Sequence, residues 1–210
     1  MFISANNDLL LQNLGDFVSC VVKFFNLKNF NIIVPDYTQY HKPSLNLWKS
    51  QIDGLLAEYI QKLDSIKICS VLSTVLSISQ QGNIFLQSNS LDNKLAEKEP
   101  LKCAAVIGLG LTLNLIHLLS SAISPFMPDT AESMNAQLRT EPLLIPDHWH
   151  ADSIQPGHEI GKAVYLFSNI KPEKANEWRA MFGGQEADKV KNEKAARKAK
   201  KAAAKQNFKN

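Results

Sequence analysis

The chain has 210 residues, of which 45% are hydrophobic and 20% are charged, as is typical of a soluble globular domain with one sizeable core. The net charge of +3 is uneven, because nine basic residues and one acidic residue after position 188 give that segment +8 and leave −5 for the rest. Charge alone therefore excludes a body that attracts nucleic acid non-specifically, and general attraction for phosphate is expected only in the tail.

The three cysteines, Cys20, Cys69 and Cys103, stand far apart inside apolar patterns. They form no CxxC pair, and the amino-terminal residues do not have the pattern of a secretory signal peptide. This usage predicts reduced thiols that are buried as small hydrophobic groups in a cytosolic protein.

Residues 6–25 have the apolar spacing of an amphipathic helix and contain no proline. The predicted buried stripe consists of Leu9, Leu10, Leu14, Phe17, Val18, Val21, Phe24 and Phe25.

A connection rich in Asn, Pro and aromatic residues follows. A second helix is predicted over residues 45–63, with Ser44 as its N-cap. Trp48 lies on the apolar stripe of this helix, which favours core packing over a base-stacking role.

A third helix is predicted over residues 66–85, and its nearly uniform hydrophobicity indicates a central position. Residues 101–123 form a fourth predicted helix whose uncharged length would also span a bilayer. Its polar residues, among them Asn114, favour the interior of a helical bundle over a membrane span. His117 is the only histidine of this helix and is predicted to be a hydrogen-bonded core residue.

Pro125 is predicted to end the fourth helix, and Asp129 or Thr130 to cap a short fifth helix that ends at Leu138. In the irregular segment that follows, His148 and His150 have the spacing of a metal-binding pair. Without a distant third ligand this pattern is weak, and no metal site is predicted. A further short amphipathic helix is predicted over residues 174–182, ending at two glycines.

Three strings of this sequence resemble one protein family: NLGDFVSC at residues 13–20, LSISQQGNIFLQ at 76–87 and PFMPDT at 125–130. They are similar to the carboxyl-terminal anticodon-binding domain of eukaryotic cytoplasmic methionyl-tRNA synthetases, which are class I enzymes. The resemblance implies an all-α bundle of about five helices over residues 1–184. Residues 185–210 would be a Lys/Ala-rich extension, disordered or helical on RNA.

The resemblance also implies RNA-contacting positions. Asp16 and Cys20 occupy the places of an Asn and an Arg that face the anticodon in the family, and neither replacement supplies the same donors. Leu91 or Asp92 occupies the place of a Trp that stacks on an anticodon base. Six basic residues of the tail are predicted to bind phosphates independently of the base sequence: Lys191, Lys194, Arg197, Lys198, Lys201 and Lys205. A solvated tail without RNA contacts is the alternative.

The sequence contains no nucleotide-binding fold pattern and no motif for methionine activation, so no catalytic residue, cofactor or metal is expected, and ATP would belong to a catalytic domain outside this chain. The implied function is tRNA binding for a cytoplasmic methionine-tRNA ligase. The alternative is a diverged helical interaction module that no longer reads the anticodon. An apolar stretch at Val164, Tyr165, Leu166 and Phe167 is expected to be exposed, and so either to bind a catalytic domain or another protein or to lower solubility.

Overall fold

The computed structural model describes residues 2–26, 32–34, 36, 43–88 and 103–182, without the side chains of residues 43–44 and 103–109. Its architecture is an all-α helical bundle, as the sequence predicts. The α-helices are α1 Phe2–Ser4, α2 Asp16–Phe25, α3 Pro43–Asp64, α4 Ile68–Ser88, α5 Cys103–Ile123, α6 Pro128–Leu138 and α7 Lys174–Phe182. A π-helix, Ala5–Gly15, separates α1 from α2.

The π-helix changes which residues of the first predicted helix are buried. A π-helix has more residues per turn than an α-helix, so residues at the three- and four-residue spacing of the predicted stripe do not all lie on one face. Leu14 is fully buried, but Leu9 is 49% exposed, so its predicted burial is wrong. In α2 the normal winding returns, and Phe17, Val18 and Val21 are buried as predicted.

Helices α3 and α4 pack against each other through aromatic contacts. Trp48 is buried, and its ring stacks on Phe85 with a centroid distance of 4.1 Å. Its indole nitrogen donates to the Gln81 carbonyl oxygen, and Trp149 meets the ring edge-on at 5.5 Å. The core position predicted for Trp48 is therefore confirmed, and a surface base-stacking role is excluded.

Helix α5 is the innermost helix, and every residue from 110 to 123 is buried. None of the helices in the described ranges combines the length and the hydrophobicity that crossing a bilayer requires. His117 Nε2 lies 2.9 Å from the Glu141 carbonyl oxygen, and Nδ1 lies 3.0 Å from Ser153 Oγ. The predicted hydrogen-bonded core histidine is confirmed, and burial lowers the pKa of this imidazole.

Residues 139–168 run back along the bundle and are fixed to it by backbone hydrogen bonds. The Gly161 amide donates to the Gln137 carbonyl oxygen at 2.7 Å, and a side chain at Gly161 would collide with the backbone of α6. Near residue 159 the segment pairs with the first connection, where the amides of Val34 and Ile160 donate to His158 and Ile32. An isolated antiparallel bridge joins Ile33 to Glu159 there.

Several predicted helix boundaries are wrong. Helix α3 begins at Pro43, so Ser44 lies inside the first turn, and α6 begins at Pro128 with Met127 as its N-cap in place of Asp129 or Thr130. Proline favours the first helical position because its φ angle is already helical and its missing N–H group removes no intrahelical hydrogen bond there. The third helix begins at Ile68, because Ile66 has a left-handed φ of 57° and forms part of the turn.

The predicted burial of the cysteines is wrong for Cys20 and Cys69, which are both exposed. Cys20 lies on the exposed face of α2, and Cys69 lies in the first turn of α4. The Cys103 side chain is outside the described residues.

The described residues divide into two compact units. Ser4–Ser168 contain the bundle, and residues 2–3 with 169–182 belong to the second unit. Within the second unit, the ring of Phe2 meets Trp178 of α7 edge-on at 5.9 Å. Helix α7 has the predicted bounds, and the predicted boundary at residue 184 stays a prediction.

Candidate nucleic-acid interface

The two predicted RNA-contacting residues of α2 share one exposed helix face. Asp16 and Cys20 are four residues apart, and Lys23 follows three residues later, which places all three side chains on the same side of the helix. Each of the three residues is exposed. The face that the resemblance assigns to the anticodon is therefore open to solvent along more than one helical turn.

The charges on this face cancel. Although Cys20 lies at the surface, desolvation by neighbouring atoms raises the pKa of its thiol, the Lys23 ammonium opposes this rise and the Asp16 carboxylate adds to it. The thiol is accordingly neutral at pH 7, and one carboxylate stands against one ammonium. The face has no net attraction for phosphate, in contrast to a face with an Asn and an Arg at these two positions.

Two of the strings that carry the resemblance contact each other just before and along the first turn of α2. The Asn83 side-chain amide donates to both the backbone and the side-chain oxygen of Asn13, at 2.9 and 3.0 Å. Asn13 in turn donates to the Leu76 carbonyl oxygen. Gly82 lies against the ring of Phe17, so close that a Cβ atom there would be 2.5 Å from the ring. These contacts fix α2 and the preceding π-helix on α4.

Residues 139–168, which we call the return segment, also pack near the start of α2, and the prediction of an exposed apolar stretch in this segment is wrong in part. Leu166 and Phe167 are partly buried against the core, so the expected exposed apolar patch is wrong at these two residues. Phe167 packs over Gly15, because its Cδ2 lies 3.1 Å from the place that a Cβ atom would occupy there. Val164 is 56% exposed, in agreement with the prediction.

Tyr165, which belongs to the apolar stretch predicted to be exposed, lies beside this face, and the sequence does not predict this position. Tyr165 is 69% exposed, and Lys23 Nζ lies 2.9 Å from its hydroxyl oxygen and 4.1 Å from its ring centroid. The helical spacing from Cys20 to Lys23 was a usable sequence signal for the lysine. No local pattern places a residue 142 positions later beside it, so only the structure shows the contact between the two residues.

The remaining predicted RNA-contacting residues lie outside the described part of the chain. These residues are Leu91, Asp92, Lys191, Lys194, Arg197, Lys198, Lys201 and Lys205. Their roles stay predictions. Within the described ranges, no three His, Cys, Asp or Glu side chains are grouped closely enough to hold a metal ion.

Comparison with known proteins identifies relatives along most of the chain. The family model for the anticodon binding domain of methionyl tRNA ligase matches residues 34–187. The cytoplasmic methionine–tRNA ligase of Saccharomyces cerevisiae is 39% identical over 185 residues, which cover 88% of this chain and 24% of the relative. A probable cytoplasmic methionine–tRNA ligase of Schizosaccharomyces pombe is 40% identical, covering 87% and 23%. The chain thus spans about a quarter of these relatives.

The fold is similar to that of a solved methionyl-tRNA synthetase. The crystal structure of the apo enzyme of Mycobacterium tuberculosis superposes with a TM-score of 0.68 at 17% identity, covering 81% of this chain and 34% of that one. This similarity agrees with the helical bundle described above. The family match over residues 34–187 shows that the chain belongs to the family of anticodon binding domains of methionyl tRNA ligase.

Proposed function

We propose that this domain binds the anticodon arm of the methionine-accepting tRNA and so contributes to methionyl-tRNA formation in cytoplasmic translation. The observation that carries the proposal is the match of residues 34–187 to the anticodon binding domain family, and the exposed face of α2 is the proposed contact surface, next to the Asn13–Asn83 hydrogen bonds that hold the preceding π-helix on α4. Base-specific recognition is favoured by an exposed helix whose backbone is already fixed, because less conformational entropy is then lost on binding. Several relatives are named cytoplasmic methionine–tRNA ligases, which supports the proposed compartment.

The proposal divides affinity and selectivity between two parts of the chain. The face of α2 carries no net charge and would supply selectivity, whereas the basic residues after position 188 would supply attraction to phosphate. ATP binding and methionine activation are assigned to a catalytic domain, for which the present sequence contains no motif. That catalytic domain is a proposed partner of this one.

Restoring the hydrogen-bond donors that the family has at positions 16 and 20 should increase selectivity for the methionine anticodon. The Asp16→Asn, Cys20→Arg double variant is expected to increase the preference for methionine tRNA over the same tRNA with an altered anticodon by about tenfold, because a bidentate donor pair discriminates bases by about 1–3 kcal/mol. The measurement is the ratio of the two dissociation constants, determined side by side over a salt series for the wild type and the variant.

A charge-matched control separates base reading from simple attraction. Asp16→Asn with Cys20→Lys adds the same charge without the planar guanidinium group, so it should strengthen binding to both tRNAs and leave their ratio nearly unchanged. If the arginine variant also leaves the ratio unchanged, α2 does not contact the anticodon.

The basic tail should account for most of the salt dependence. Deleting residues 189–210 is expected to reduce the slope of log K against log salt by about 0.7–0.9 for each phosphate that the tail neutralises. A matched control keeps the composition of the tail and scrambles its order, and this chain should retain the wild-type slope because phosphate contacts do not depend on sequence. An unchanged slope after deletion would show that the lysines do not contact RNA.

The second candidate function is that of a diverged protein-interaction module. It is favoured by Asp16 and Cys20, which stand where the family has an Asn and an Arg. Under this function the wild-type chain binds both tRNAs equally and only through its tail. The exposed Val164 would then belong to a protein-binding surface.

A further inference from the structure

Lys23 and Tyr165 form a defined pair at the edge of the Asp16/Cys20 face. The ammonium group lies 4.1 Å from the centre of the tyrosine ring and donates a hydrogen bond of 2.9 Å to its hydroxyl. The ring nevertheless stays 69% exposed, which is unusual for so large an aromatic side chain that already has a partner. Lysine thus covers only part of the ring, and the rest is open.

The backbone around this ring is fixed on both sides. The Val164 amide donates to Gln137 Oε1 at 2.9 Å, and after the tyrosine Leu166 and Phe167 pack against the core. Asn6 donates to the Ser168 carbonyl oxygen at 3.1 Å. Tyr165 is therefore an exposed aromatic residue on an anchored segment, and binding through its ring would require little ordering of the chain.

We propose that Tyr165 is a stacking platform for an unpaired nucleobase of RNA, and that Lys23 contacts the adjacent phosphate. This inference rests on the proposed function, and it assigns to the return segment a part of the RNA surface that would otherwise belong to α2 alone. An aromatic ring next to a cationic side chain is the combination with which proteins hold single-stranded nucleic acid. Stacking is possible with any base, so this contact increases affinity and fixes the position of the RNA on the surface without selecting a base.

The charges favour RNA over a protein partner at this position. Lys23 is the cation of this face, and its charge offsets the repulsion that Asp16 would exert on a phosphate. A protein-docking surface would be expected to continue into apolar neighbours, but Leu166 and Phe167 turn inward. Of these apolar neighbours in sequence Val164 alone is exposed, so the outward surface consists mainly of an aromatic ring with a positive group beside it.

The test uses the full chain and the anticodon stem-loop of methionine tRNA, with 2-aminopurine replacing one loop base at a time. Tyr165→Leu is expected to weaken binding by about five- to a hundred-fold, the usual loss for one stacking aromatic residue. Tyr165→Phe keeps the ring and should bind nearly as the wild type does. At one loop position 2-aminopurine fluorescence should be quenched by the wild type and by the phenylalanine variant, but not by the leucine variant.

Leu144→Ser is the matched control, because Leu144 is 89% exposed on the same segment and has no aromatic ring. Its affinity should equal that of the wild type, and thermal melting should show that all variants are folded. Lys23→Gln should lower the salt slope by about the 0.7–0.9 expected for one phosphate contact.

The outcomes distinguish this inference from the proposed function. If the wild type prefers methionine tRNA but Tyr165→Leu binds as tightly, the stacking platform is refuted and the proposed function stands. Equal losses in the phenylalanine and leucine variants would refute stacking as well, because they would place the effect in the hydroxyl group. A wild-type chain that binds no tRNA would refute both.

Discussion

The Gly82→Ala variant is expected to be less stable than the wild type by about 2 kcal/mol. A Cβ atom at this position would lie 2.5 Å from Cζ and 2.6 Å from Cε2 of Phe17, which is itself fully buried. Overpacking of this kind costs about 1–3 kcal/mol or more, since the ring moves only if its neighbours move. The better helix propensity of alanine offsets about 0.5–1 kcal/mol of this cost. Urea unfolding at fixed temperature gives the free-energy difference.

Gly54 provides a matched control for this substitution. It also lies inside a helix, α3, but a Cβ atom there would meet nothing within 4 Å. Gly54→Ala should therefore stabilise the chain by about 0.5–1 kcal/mol, so the two glycine variants should shift in opposite directions. In a Phe17→Leu background, Gly82→Ala should cost less than it does in the wild type, because the colliding ring is absent. Equal costs in the two backgrounds would show that the Phe17 contact does not explain the effect.

Gly82 illustrates what the sequence could and could not predict. Its string, residues 76–87, was sufficient to indicate a helix and a family, because periodicity and resemblance are properties of neighbouring residues. The reason for a glycine at position 82 is a contact with Phe17 in a different helix, far away along the chain, and no local pattern records it. The helices were thus predictable, whereas the contacts between them were not.

The candidate interface shows the same limit. Asp16 and Cys20 were placed on one face by helical spacing, and the structure agrees because α2 has normal winding. Leu9 was misplaced because the preceding segment is a π-helix, whose hydrogen-bonding pattern the hydrophobic stripe does not reveal. The exposure of Tyr165 agrees with the sequence prediction, but its contact with Lys23 was not predictable, because that contact depends on how the return segment folds onto the bundle.

Replacing Asn114 with alanine is expected to destabilise the chain by about 3 kcal/mol, because several buried hydrogen bonds between its side chain and the backbone are lost at once. Asn114 Oδ1 accepts hydrogen bonds from the Ile154 amide at 2.8 Å and from Ser153 Oγ at 2.9 Å, and Nδ2 donates to the carbonyl oxygens of Gly110 and Ile154. Ile154 is 1% exposed, so water does not replace these bonds without an opening of the segment. The free energy of unfolding and the hydrogen-exchange rate of the Ile154 amide are the two measurements.

Two further variants assign the effect to hydrogen bonding. Asn114→Leu fills a similar volume with apolar atoms, so it should be about as unstable as the alanine variant if the missing hydrogen bonds dominate, and close to the wild type if only a cavity matters. Asn46→Ala makes the same chemical change at an exposed position of α3 and should stay within about 0.5 kcal/mol of the wild type.

Because Asn114 holds the return segment at Ile154, and the same segment carries Tyr165, faster exchange at Ile154 should be accompanied by weaker tRNA binding at temperatures where the bundle is still folded. Faster exchange at Ile154 with unchanged binding would show that residues 153–154 and the RNA-contacting part of the segment open independently.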